Sequence, residues 1–125
     1  MIHGIGTDIV RIQRIVDALA RHGERFATRV LAPAERPEFA VSPEPARFLA
    51  KRFAAKEAFG KALGTGVARP ATLHAVAVAH DPHGRPLFHC SDELSAYLGA
   101  RAMVAHLSLS DETDYVVAFA LIEIR

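Results

Sequence analysis

Apolar and polar positions change period several times along the chain, and each change marks an element. "MIHGIGTDIV" sets β-branched and apolar residues around Gly4 and Gly6 and predicts a first strand. Glycine weakens a strand, so two in one strand point to close approach by another backbone or by a ligand. Ile12, Ile15, Val16 and Leu19 then recur at i, i+3, i+4 and i+7, the stripe of an amphipathic helix, with Gly23 suited to its end. "ERFATRVL" predicts a second, short helix. The four prolines of "APAERPEFAVSPEP" predict a broken connection with room for one helical turn. A long helix follows from about Ala46 to Leu63. Phe48, Leu49, Phe53, Phe59 and Leu63, with the alanines between them, form its buried face, and Gly64 fits the position just past its end.

After "GTGVARPATL" the period falls to two. "HAVAVAH" and "PLFHC", joined by the turn "DPHG", predict a hairpin. Ser91 or Asp92 can cap a short helix in "DELSAYLGARA". "MVAHLSLS" and "YVVAFALIEI" are two further strands around the polar turn "DETD". The order β-α-α-α-β-β-α-β-β predicts an α+β fold, a largely antiparallel sheet packed against one long and several short helices. With 125 residues and no repeat or linker, residues 1–125 are expected to form a single domain.

Composition narrows the function classes. A net charge of +1 gives no global reason to expect nucleic acid. Cys90 is the only cysteine, which excludes an internal disulfide and a thiolate zinc cluster. No apolar stretch approaches the ~18 residues needed to span a bilayer. The opening decapeptide also lacks the basic leader and long apolar run of a secretory signal. A soluble, cytoplasmic protein with no membrane partner is the expectation.

Four groups of residues can carry chemistry. Asp8 ends the glycine-rich strand in a stretch otherwise free of charge, and Glu57 lies on the long helix. Brought together, the two carboxylates would suit Mg²⁺, which takes oxygen ligands and keeps positions open for water and phosphate. The plainer readings are Asp8 as a helix cap and Glu57–Lys61 as an i,i+4 pair. Lys61 with Gly64, Thr65 and Gly66 forms the second group. Its order is not that of a Walker loop, and a helix C-terminus repels anions, so lysines would have to supply the attraction. His106, Ser108 and Ser110 alternate with Leu107 and Leu109, so they line a cleft or form the wet side of a sheet. Arg14, Arg21 and Arg25, with Arg11, make a basic stripe that Gly23 interrupts. It suits an acidic protein helix better than nucleic acid, because no aromatic residue is interleaved for base stacking.

The order of "GIGTDIVRI", "RFAAKEAFGKALGTG", "GRP" and "HLSLSDETDY" along the chain resembles the bacterial holo-acyl-carrier-protein synthases, small trimeric members of the 4′-phosphopantetheinyl transferase group. The resemblance spans essentially the whole chain. It implies Mg-dependent transfer of phosphopantetheine from coenzyme A to a serine of apo acyl carrier protein, with release of 3′,5′-ADP, in fatty acid biosynthesis. By position it implies Asp8 and Glu57 as metal ligands, Lys61 facing the phosphates, and Gly64, Thr65 and Gly66 as the loop against coenzyme A. Arg52, Lys56, Pro86, His106 and Ser108 are implied as further pocket residues, and Arg14, Arg21 and Arg25 as the face for the carrier protein's acidic helix. Glu57, a metal-bound water, His106 or a carboxylate of the carrier protein could take the serine proton; Glu57 and the water are favoured. Asp111 stands where some relatives have histidine, and no role is assigned to it. A homotrimer with intersubunit sites is implied by the family. The rival readings are a non-catalytic trimeric module that binds coenzyme A or a carrier protein, and RNA binding through the arginines.

Overall fold

Two glycines decide how the longest helix meets the first strand. The computed structural model describes residues 1–125. Strand β1 (Ile2–Arg11) lies under helix α4 (Pro45–Leu63) so closely that a Cβ on Gly4 would stand 2.1 Å from the Ala62 carbonyl oxygen. A Cβ on Gly6 would stand 2.2 Å from that of Ala58. The approach anticipated for this strand is therefore made by α4 backbone. Alanines on the helix complete the fit, since Ala54, Ala58 and Ala62 are all buried.

Helix α1 (Ile12–His22) follows β1 directly and ends at Gly23, and α2 (Glu24–Val30) begins beyond it. The proline-rich connection holds a 3-10 turn (Pro33–Glu35) and the short α3 (Arg36–Ala40), two helical pieces where one turn was expected. The hairpin β2 (Val76–His80) and β3 (Pro86–Cys90) leads to α5 (Asp92–Ala100). The Ser91 hydroxyl caps α5 by accepting from Leu94 N–H at 3.2 Å. Strands β4 (Met103–Asp111) and β5 (Tyr115–Ile124) close the chain.

The fold is α+β, and all its strand pairings are antiparallel. They divide into two sheets, one of three strands in the order β1-β5-β4 and one formed by β2 and β3. Alternation along β5 sends Val116, Ala118, Ala120 and Ile122 toward α4, where they join Leu49, Phe59 and Leu63 in the core. The opposite face of the three-stranded sheet carries Ile5, Ile9, Val117 and Phe119, all exposed, beside His106 and Ser108. No helix is long and apolar enough to cross a membrane.

Candidate active site

The close contact of α4 with β1 has a chemical result. On β1, the face toward α4 reads Gly4, Gly6, Asp8, Val10, so the first side chain able to reach into the contact is a carboxylate. Asp8 meets the last turns of α4. The Lys61 ammonium donates to the Thr7 carbonyl at 2.9 Å and lies 3.4 Å from Asp8 Oδ1. Glu57, half-buried one turn earlier, sits within the field of both. Its burial pushes the carboxyl above its usual value, the Asp8 charge pushes it further, and Lys61 and Arg14 pull it back. The Arg14 guanidinium lies over the Phe53 ring at 5.9 Å and completes the group.

This geometry removes the plainer readings of these residues. Asp8 caps no helix, since Arg11 precedes α1 and makes no side-chain cap. Lys61 pairs with Asp8 across elements and not with Glu57 along the helix. Two carboxylates on two elements form an open donor set, with no third histidine, cysteine or carboxylate gathered to them. Such a pair fits a hard divalent ion that keeps positions free for phosphate oxygens and water. The helix end adds a loop of accessible backbone. Gly64 has φ of 97°, Gly66 has φ of 67°, and both donate N–H to the Gly60 carbonyl at 3.0 Å, with exposed Thr65 between them.

A second set of predicted residues lies elsewhere. Pro86, His106 and Ser108 line a cleft of about 540 Å³ with Asp81 and Arg85. Register places His106 opposite Leu121 and Leu121 opposite Ile5, while Asp8 aligns with Ala118 and Leu109. Directly opposed residues share a face and successive ones alternate, so His106 and Asp8 project from opposite faces of the sheet, two strands apart. His106 Nε2 is 3.1 Å from Glu123 Oε1, and His106 together with Arg125 holds the Glu123 carboxyl below its usual value. Within one chain these two sets do not meet.

A third set is interior. Lys56 has no exposed surface, and its ammonium donates to the Val30 carbonyl at 2.8 Å, Glu35 Oε1 at 2.5 Å and the Leu73 carbonyl at 2.7 Å. An ammonium has three protons, and all three are engaged. Arg52, also buried, binds Glu35, Glu38 and the Val78 carbonyl. Both were expected among the coenzyme-facing residues, and the structure commits both to Glu35. That carboxylate accepts from Ala32 N–H, Lys56, Arg52 and Val78 N–H, which fills its four lone-pair positions. Burial alone would raise Glu35, but the Lys56 charge and hydrogen bond, with the two backbone donors, hold it below its usual value. Glu35 and Arg52 also satisfy the N–H and carbonyl that Val78 turns away from β3.

Sequence reasoning passed over Glu35, whose partners Arg52, Lys56 and Val78 come from distant elements. It gave Asp111 no role, and here Asp111 Oδ2 accepts from Arg47 at 2.7 Å, which ties the β4–β5 turn to the start of α4. Arg14 and Arg21 share α1 and line a cleft of about 400 Å³ with Arg11 and Asp17, whereas Arg25 belongs to α2. Cys90 is half-buried against the core, and its burial pushes the thiol up to about 11.

The chain is similar to known proteins over nearly its whole length. The family model of the 4′-phosphopantetheinyl transferase superfamily matches residues 4–120. The chain is 69% identical over 125 residues to a holo-[acyl-carrier-protein] synthase of Aromatoleum aromaticum, covering 100% of both chains. It superposes on the crystal structure of holo-[acyl-carrier-protein] synthase from Neisseria meningitidis with a TM-score of 0.95 at 44% identity, over 98% of this chain and 99% of that one. A holo-(acyl-carrier-protein) synthase from Bacillus anthracis, solved in complex with CoA (3′,5′-ADP), gives a TM-score of 0.83 at 32% identity, over 100% of this chain and 99% of that one.

Proposed function

Because the chain belongs to the 4′-phosphopantetheinyl transferase superfamily, we propose that it transfers phosphopantetheine from coenzyme A to a serine of apo acyl carrier protein, in the presence of Mg²⁺, for fatty acid biosynthesis. The observation that carries this reading is the convergence of Asp8, Glu57 and Lys61 where α4 crosses β1. Asp8 and Glu57 would hold the magnesium, which when bound neutralises and polarises the diphosphate of coenzyme A.

The chain's own groups supply the rest. Lys61 exchanges Asp8 for a diphosphate oxygen and adds the positive charge that a helix C-terminus cannot. Gly64, Thr65 and Gly66 let the coenzyme lie against backbone. The serine oxygen attacks the phosphorus on the pantetheine side. A new P–O bond forms, the bond to the bridging oxygen breaks, and 3′,5′-ADP leaves with the electron pair. Glu57 takes the serine proton, being the carboxylate on the helix that also carries Lys61. Arg14 and Arg21 on α1, with Arg25 on α2, receive the acidic helix of the carrier protein.

Pro86, His106 and Ser108 enter this site from another copy of the chain. The face of the three-stranded sheet that carries His106 and Ser108 also holds exposed apolar residues, and it points away from Asp8. A homotrimer with sites between subunits reconciles the two sets.

The test is an intact-mass assay of apo acyl carrier protein with coenzyme A, Mg²⁺ and this protein. A phosphopantetheine mass increment is expected, and it should be absent with Asp8→Ala and with EDTA. Coenzyme A binding without any increment would support a non-catalytic binding module instead.

A further inference from the structure

Lys56 stands one residue before Glu57 on α4, fully buried, with every ammonium proton engaged. Its three acceptors come from three separate segments. The Val30 carbonyl is at the end of α2, Glu35 ends the 3-10 turn, and the Leu73 carbonyl lies in the connection from α4 to β2. Such a clamp fixes the helix in rotation and in axial position, because sliding or turning α4 would break three charge-assisted bonds together. Glu57 takes its direction from that rotation.

The Leu73 bond acts on a second part of the site. The segment that starts at Gly64 leaves α4 with its first amides bonded to Gly60. It is drawn back to the same helix at Leu73 by Lys56. One side chain therefore fixes the return of the glycine loop and the bearing of the neighbouring carboxylate.

We infer that Lys56 is a positioning residue for the transfer, which couples the direction of Glu57 to the shape of the Gly64–Gly66 loop without touching substrate. The inference rests on the function proposed above. Its partner Glu35 keeps Arg52 when Lys56 is replaced, so the interior charge is not left alone.

The experiment compares Lys56→Met, Lys56→Gln and, as a control for lost stability, Leu98→Ala in α5, far from the Asp8 group in the chain order and buried. Melting temperature, steady-state kinetics, Mn²⁺ binding by electron paramagnetic resonance with coenzyme A present, and amide exchange over residues 64–73 are read on each. At equal loss of melting temperature, Lys56→Met is expected to lose at least about tenfold in kcat, since a misplacement of about 1 Å can cost ~10²-fold. Mn²⁺ affinity should fall, and exchange over 64–73 should quicken, with neither change in Leu98→Ala. Lys56→Gln keeps two donors, so it should fold if Lys56→Met does not and should shift the same readouts in the same direction. Kinetics, Mn²⁺ affinity and exchange in both Lys56 variants equal to those of Leu98→Ala would overturn the inference. A wild-type protein that transfers nothing would instead overturn the proposed function.

Discussion

Lys61 is bound to Asp8 across two elements 53 residues apart in sequence, with Nζ 3.4 Å from Oδ1 and 2.9 Å from the Thr7 carbonyl. A divalent ion and a diphosphate bound here would contest the ground that the lysine holds beside Asp8.

The Lys61→Met variant should therefore respond in two opposite ways. Mn²⁺ binding without coenzyme A should tighten, because Asp8 loses a competing cation. The transfer should slow by about 10²-fold or more in kcat/KM, as when one charge-stabilising donor is removed from a reacting centre. Spectroscopic Mn²⁺ titration and the rate of 3′,5′-ADP release check the two halves separately. Weaker Mn²⁺ binding in the variant would show that Lys61 supports the ion and does not compete with it.

Gly6→Ala should damage both fold and site. The added methyl meets the Ala58 carbonyl, and backbone cannot move aside as a flexible side chain can. A loss of about 1–3 kcal/mol or more is expected in urea unfolding. The surviving folded fraction should bind Mn²⁺ weakly, because α4 and Glu57 must lift away from Asp8.

Glu35 gives the fold an acid limit. Its carboxyl in the folded chain is held below the unfolded value near 4.5, so between the two values the unfolded chain binds more protons. The stabilisation is complete above about 4.5 and is lost as pH falls through the folded value. Urea midpoints measured downward from pH 7 should fall in that window, and the fall should be shallower in Glu35→Gln. At pH 7 the same substitution should cost about 3–5 kcal/mol, because two buried cations lose their partner.

Much of this architecture was legible because the hydrophobic period and the capping residues agree, as at Gly23, Gly64 and Ser91. The alternation from His106 to Ser110 gave the correct face for each residue. What the period could not say is what a face meets. Gly4 and Gly6 announced a close approach but not the α4 backbone that makes it. Lys56 and Arg52, implied as pocket residues by the family resemblance, are bound instead to Glu35, which stands 21 and 17 residues earlier in a proline-rich connection. A buried charge network built from distant residues leaves no periodic trace.

Separation of His106 from Asp8 onto opposite faces makes a prediction about mixtures. Asp8→Ala and His106→Ala should each be weak alone. Mixed in equal amounts, unfolded and refolded together, they should regain about a quarter of wild-type activity, the share of sites in a cyclic trimer that draw each intact set from a different neighbour. No recovery, with mixed assemblies confirmed by native mass, would place both sets in one chain's service.

The face of β1 under α4 can also be seen as a wedge. Gly4 and Gly6 give it no thickness where Ala62 and Ala58 press down, and Val10 gives it the width of a branched side chain at the other end. Side-chain size under the helix grows from one end of the strand to the other, and Asp8 sits partway along that rise. The gradient makes side-chain size in one strand a control on how closely α4 seats beside Asp8, so volume changes at Val10, an apolar position two residues along the same face, become a means of raising or lowering the stretch of helix that carries Glu57.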